Sequence, residues 1–258
     1  SATRIQLPRA LSNQAAVQRT ADIHEVISRP ECAFMTIAEE QTATWSRQLG
    51  ADVLLLNPLC AVAPEIPQEA SPYYPSSRRF RNPLYLRIED IPGADDAAID
   101  LSPLAAAAQS LNATRRIDRD QVFRLKMEAL EKIWIRHAQE SSFDRYCQAM
   151  GESLRGFACF CVLAERFGGD WRLWPSKYQR PDSPDVGRFV QEASQRVRFH
   201  QWLQWHLDRQ LAASAAVLPL VIDLPIGVSP GGADAWQWQD VLAKGATVGA
   251  PPDQFNME

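Results

Sequence analysis

The run Ser71-Pro-Tyr-Tyr-Pro-Ser-Ser-Arg-Arg-Phe80 gathers hydroxyls, phenols and guanidinium groups without a single carboxylate. Flat apolar rings with polar tips suit a polyhydroxylated ligand, which is stacked upon and hydrogen-bonded at once. The competing reading is a structural loop pinned by buried tyrosines. A carboxylate stands elsewhere: Asp223 ends the apolar run Val217-Leu-Pro-Leu-Val-Ile-Asp223 and leads into a turn rich in proline and glycine that closes at Gly232. In α/β barrels and open α/β sheets, residues at the C-terminal ends of strands line the site, which makes Asp223 the best-placed single candidate. Its alternatives are a helix N-cap or a structural carboxylate.

Other chemistries lose their support. His200 and His206 lie six apart on one predicted helix, on different faces, where a metal pair needs three or four. His24 and His137 have no partner in sequence. The cysteines Cys32, Cys60, Cys147, Cys159 and Cys161 form no CxxC pair and read as reduced, mostly buried thiols. No G-x-S-x-G elbow, phosphate loop or GxGxxG occurs. With 27 basic against 31 acidic side chains, the net charge of -4 gives no general attraction to nucleic acid or anionic lipid. The stretch Leu211–Val228 is interrupted by Pro219, Asp223 and Pro225, so it does not read as a membrane span, and no secretory signal is visible.

The elements that must position these groups alternate between helix and strand. Thr36 and Glu39 have capping-box spacing, with Ile37, Ala38, Trp45 and Leu49 on one side of a helix that stops before Gly50. Residues 51–57 follow as a continuous apolar run ended by Pro58, the pattern of a strand buried on both faces. Residues 59–83 have no period but hold Pro64, Pro67, Pro72, Pro75 and Pro83, a length at which loops in compact domains are usually functional. Residues 84–89 alternate like a strand. Helices are predicted from Ser102-Pro103, over Asp118–His137, over Ser153–Phe167 with a stop at Gly168-Gly169, from Ser183-Pro184 to about Ala213, and over Ala233–Lys244. Further strands are predicted at 217–223 and 246–249. The 8 Trp are assigned to core filling by default and to ligand platforms otherwise.

Taken together, three ordered segments resemble the amylomaltase family of 4-alpha-glucanotransferases, glycoside hydrolase family 77. The first is Gly50-Ala-Asp-Val-Leu-Leu-Leu-Asn-Pro-Leu59 with Ser71–Leu86. The second is Phe199-His-Gln-Trp-Leu-Gln-Trp205 with Asp208-Arg-Gln210. The third is Asp223-Leu-Pro-Ile-Gly-Val-Ser-Pro-Gly-Gly-Ala-Asp-Ala-Trp236, closing with Val248–Asn256. The resemblance implies a TIM-type barrel, cytoplasmic handling of malto-oligosaccharides, and retaining transfer of an alpha-1,4-glucan segment to another glucan without metal or nucleotide. It also implies substrate-binding roles: Tyr73 of the Ser71-Pro-Tyr motif stacks on a donor sugar, Asp223 sits on the floor of the same site, and the loop with Pro251, Pro252, Asp253 and Phe255 folds over the glucan.

Retaining transfer needs two carboxyl groups about 5 to 5.5 Å apart. The family carries its nucleophile in an Arg-Ile-Asp-His segment and its acid/base in a later Glu-Asp-Leu-Gly segment, and neither occurs in this sequence. Arg87-Ile-Glu-Asp90 comes too early to serve. The family's Ser-Trp-Gly-x-Gly-Asp element is also missing from residues 5–40. The fold expected is therefore an α/β partial TIM barrel with a large helical insertion, incomplete in this chain. Its parts are an unassigned segment 1–35, first strands and substrate loop over 36–100, helical insertion over 101–215 and further strands over 216–258. No catalytic residue is assigned. The expectation is a piece of a glucanotransferase, inactive alone, or else a non-catalytic glucan-binding or scaffold protein derived from that family.

Overall fold

A computed structural model describes residues 39–113, 116–137 and 140–243. Helix α1 spans Glu39–Gln48, and Gly50 turns the chain out of it at a φ of 84° that favours glycine. Strand β1, Leu54–Leu56, pairs in parallel with β4, Leu220–Ile222, in the register Leu54 to Leu220, Leu55 to Val221 and Leu56 to Ile222. A second, antiparallel pair joins β2, Cys60–Ala61, to β3, Ser77–Arg81. Between and around them lie helices α2 (Ser102–Leu111), α3 (Arg119–His137), α4 (Ser141–Phe167), α5 (Pro184–Glu192), α6 (Ser194–Val217) and α7 (Ala233–Gln237). None of the described helices is long and apolar enough to cross a membrane.

Helix α6 is the axis of the assembly. Every residue from Phe199 to Leu207 is buried, so both predicted faces of this helix are inside, and His200 and His206 with them. One core gathers Leu130, Ile133, Phe143, Phe199 and Trp202 from α3, α4 and α6, together with Leu86, Ile88 and Ile91. A second gathers Phe80, Phe157, Phe160, Trp174, Phe189 and Trp236. Phe160 lies 5.2 Å from the Trp174 ring and 6.0 Å from the Trp236 ring. Most of the tryptophans therefore fill core; Trp238 is the exposed one, with the Arg79 guanidinium 5.4 Å from its ring.

Several boundaries differ from the sequence reading. Helix α4 begins at Ser141 and is broken at Gly151, whose φ of 56° lets the chain bend where a side chain would be strained. The long fourth helix is two, α5 and α6, separated at Ala193, and α6 runs on to Val217, leaving β4 shorter than expected. Helix α7 stops at Gln237. Helix α1 buries Ala43 and Ser46 rather than Leu49, which is exposed. The free thiols Cys159 and Cys161 are buried, and burial pushes Cys159 up to about 12. Residues 36–38, the 246–249 strand, and His24 and Cys32 lie outside the described residues.

Two corrections concern the strands. Leu55 is 69% exposed and Val221 51% exposed, so β1 and β4 are not covered on both faces as their apolar runs imply. Residues 84–89 are not a strand: they form 3-10 turns at Pro83–Tyr85 and Ile88–Asp90. Leu84, Leu86 and Ile88 are buried in alternation all the same. Side chains replace the missing ladder. Lys126 of α3 donates to the carbonyls of Leu84 and Leu86, and Gln210 of α6 both accepts from the Arg87 amide (2.8 Å) and donates to the Arg87 carbonyl (2.8 Å).

Candidate functional site

The loop from residue 62 to 76 is fixed at both ends. The Gln68 amide donates to Asp120 (2.7 Å), its side chain donates to the Glu65 carbonyl (2.6 Å), and the Ser76 amide donates to the Ala61 carbonyl (2.8 Å). At its tip the Ser71 hydroxyl accepts from the Tyr73 amide at 3.2 Å, a local turn that presents the Tyr73 ring outward. Ser71 thus shapes the turn that carries Tyr73.

Asp223 leaves the end of β4 with its amide bonded to the Leu56 carbonyl of β1 (2.9 Å). The Tyr73 phenol donates to Asp223 Oδ2 at 2.8 Å, across 150 residues of sequence. Both side chains are exposed, Tyr73 by 52%. The bond to the carboxylate raises the Tyr73 phenol above its usual range, because ionising it would set two negative charges side by side. The result is an open phenol face beside a carboxylate: a platform for a ring and acceptors for its hydroxyls. Pro251, Pro252, Asp253 and Phe255 lie outside the described residues.

The two loops are joined along their length. The Ser229 amide donates to the Pro75 carbonyl (2.8 Å), and the Ala233 amide donates to Ser76 Oγ (2.8 Å). Asp234 accepts from Ser77 Oγ (2.7 Å) and from the Arg78 amide (2.8 Å), and its own amide donates to the Ser76 carbonyl (3.1 Å). At Gly232 a Cβ would lie 2.6 Å from Ser76 Cα, so the approach admits glycine alone. The Arg78 guanidinium donates to the carbonyls of Pro225 (2.9 Å) and Ile226 (2.8 Å).

Behind β3 stands α6. Gln204 accepts from the Arg81 amide (2.9 Å) and donates to its carbonyl (2.8 Å), while Asp208 holds the Arg81 guanidinium at 2.7 Å and accepts from the Tyr146 phenol at 2.7 Å. The sequence segment containing Gln204, Asp208 and Gln210 is thus a clamp on the chain that leaves the 62–76 loop. Sequence reasoning left those three and Asp234 without a role, missed Lys126, and took Arg78 only as one of the guanidinium groups of the Ser71–Phe80 run. A polar residue on the apolar face of a helix was the available signal for Gln204 and Lys126, since such groups must be hydrogen-bonded when buried. Nothing local pointed to Arg78 as a tie between two loops.

His200 Nε2 lies 2.9 Å from Glu165 Oε1, and Glu165 also receives two bonds from Arg196. Although burial opposes it, the His200 and Arg196 bonds hold the Glu165 carboxyl down at about 2. Burial takes His206 down to about 3, so it is a neutral ring packed edge-on to Trp202 and tilted against Trp205. These histidines serve the core.

Strand-end loops that carry the polar groups, resting on a helical layer, define an α/β protein with its candidate site at the C-terminal edge of a parallel strand pair. Residues 34–258 match the model of the family described as 4-alpha-glucanotransferase. The 4-alpha-glucanotransferase of Mycobacterium tuberculosis (strain ATCC 25618 / H37Rv) is 38% identical over 97% of this chain and 37% of its own length. That of Haemophilus influenzae (strain ATCC 51907 / DSM 11121 / KW20 / Rd) is 29% identical over 81% of this chain and 34% of its own. The crystal structure of amylomaltase from Corynebacterium glutamicum matches with a TM-score of 0.67 and 35% identity, over 85% of this chain and 31% of that one. This chain belongs to the 4-alpha-glucanotransferase family, glycoside hydrolase family 77. It spans 37% of the length of the mycobacterial relatives.

Proposed function

We propose that this chain supplies the substrate-lining portion of a 4-alpha-glucanotransferase that moves a segment of an alpha-1,4-glucan to another glucan by retaining double displacement. The observation that carries the reading is the open pair formed by Asp223, at the end of β4, and Tyr73, in the loop between β2 and β3, in a chain of this family. Tyr73 is the stacking platform, Asp223 receives sugar hydroxyls, Ser71 holds the turn, and the loop with Pro251, Pro252, Asp253 and Phe255 covers the glucan. Malto-oligosaccharides are the substrates. The cell's cytoplasm is the compartment in which it works.

The fold follows the same reading. β1 and β4 are neighbouring strands of a TIM barrel that this chain does not close, and the helices from α2 to α6 are its insertion. The exposed faces of Leu55 and Val221 support this, because two parallel strands with apolar side chains on an open face await cover. The nucleophile and the acid/base then come from outside this sequence, which lacks both family segments.

Calorimetric titration with maltoheptaose tests the binding role. Saturable binding that Tyr73→Ala abolishes supports it, and affinity unchanged by Tyr73→Ala refutes it. Incubation with maltotriose tests the catalytic half. The chain alone is expected to leave maltotriose intact, and longer and shorter products would overturn the assignment of catalysis to residues elsewhere.

A further inference from the structure

We propose that Arg78 is a positioning residue for the glucan site: its guanidinium holds the loop after β4 so that Asp223 meets Tyr73. Arg78 Nη1 carries two N–H groups, and each has its own carbonyl, Pro225 at 2.9 Å and Ile226 at 2.8 Å. Bonds from a charged donor are stronger than neutral ones. Only Leu224 separates Asp223 from Pro225, and the ring of Pro225 fixes its own torsion, so the place of that carbonyl is passed back to the carboxylate with little slack.

Arg78 is itself anchored from the core. Its amide donates to Asp234 Oδ2, and Asp234 belongs to α7, whose Trp236 is buried between Phe160 and Trp174. Position is thus transmitted from Trp236 through Asp234 and Arg78 to Pro225 and Ile226, and from there to the Tyr73–Asp223 bond. The same two loops meet again between Ser229 and Pro75, which closes a ring of contacts with the sugar-facing pair at one side. Beyond Ile226 the loop contains Gly227, Gly231 and Gly232, and glycine gives no stiffness of its own. Without the guanidinium, the Asp223 amide keeps its bond to the Leu56 carbonyl of β1, but the residues from Leu224 onward lose their hold.

This role deepens the glucan reading and rests on it for the effect on binding; the effect on Tyr73 ionisation does not depend on that reading. The experiment is an ultraviolet titration of phenolate, with Tyr73→Phe subtracted to isolate Tyr73, alongside maltoheptaose calorimetry on the same proteins. Arg78→Met, folded by circular dichroism, is expected to bring Tyr73 ionisation down toward that of free tyrosine and to weaken maltoheptaose about tenfold. Arg78→Lys is expected to recover part of both. A folded Arg78→Met protein whose Tyr73 ionisation and affinity both match the unaltered protein overturns the proposal. If Arg78→Met does not fold, Arg78→Gln, which keeps a donor but not the double reach, is read the same way. Tyr73 ionisation that shifts, in a protein that never binds maltoheptaose, supports the placement of Asp223 by Arg78 and removes the glucan reading.

Discussion

Around Trp202 every residue of α6 from Phe199 to Leu207 is inside the protein, whereas Tyr73 and Asp223 stand largely in solvent beside strands whose Leu55 and Val221 are also exposed. In the first region close packing decides where each side chain sits. In the second almost nothing is packed, and hydrogen bonds decide: Ser71 to Tyr73, Asp234 to Ser77 and Arg78, and Arg78 to the carbonyls of Pro225 and Ile226. A pair of side chains that stands open to solvent has no packing to fix it. Its geometry is therefore held from behind, by a helical layer that lends its rigidity through a few polar side chains.

The difference makes graded predictions. Trp202→Ala removes a fully buried ring and is expected to cost roughly 3 to 5 kcal/mol in chemical denaturation. A loss below about 1 kcal/mol would mean that α6 is not the axis of the core. Asp234→Ala leaves the Ser77 hydroxyl and the Arg78 amide without their acceptor, with an expected cost of about 1 to 3 kcal/mol. It should also weaken maltoheptaose, because the link between packed and open regions is cut.

Lys126 makes a prediction about pH. Burial lowers its ammonium from 10.5 to about 7, so between those values the unfolded chain binds the proton that the folded chain has released. The cost of the buried charge is full below about pH 7 and is relieved as pH rises toward 10.5, so stability should rise over that window by up to about 1.4 kcal/mol per pH unit. Denaturation of Lys126→Met across the same range should lack that slope; an unchanged slope would assign it to other groups.

The smallest effects belong to the open region. Tyr73→Phe should change stability by less than about 0.5 kcal/mol while weakening maltoheptaose binding, since it removes one solvent-exposed bond. Leu55→Ser should likewise stay within about 0.5 kcal/mol in this chain, because the side chain is not covered. A large loss on either change would show that the open region is packed after all.

Much of the fold is legible in the sequence. Local signals place the start of α3 just after Asp118, where the Gln121 amide donates to its side chain, and the end of α4 at Gly168, because caps and glycine stops act within one turn. The apolar run before Asn57 and the run ending at Asp223 correctly mark two parallel strands, though longer than they are. Residues 84–89 show where such reading fails. Their burial alternates as a strand's does, but what a backbone hydrogen-bonds to depends on what stands beside it, and there α3 and α6 offer Lys126 and Gln210 instead of another strand.

By itself, then, the sequence offered candidates from their immediate neighbours, the tyrosines of a proline-rich loop and an aspartate at the end of an apolar run, and the family resemblance singled out Tyr73 and Asp223 among them. Only the tertiary structure decided that they meet, 150 residues apart, and that Arg78 and Asp234 hold the two loops in place. The physical reason is range. Helix periods, caps and turns are set by groups a few residues apart, while a hydrogen bond between loops exists only after the strands and helices beneath them have brought the partners together.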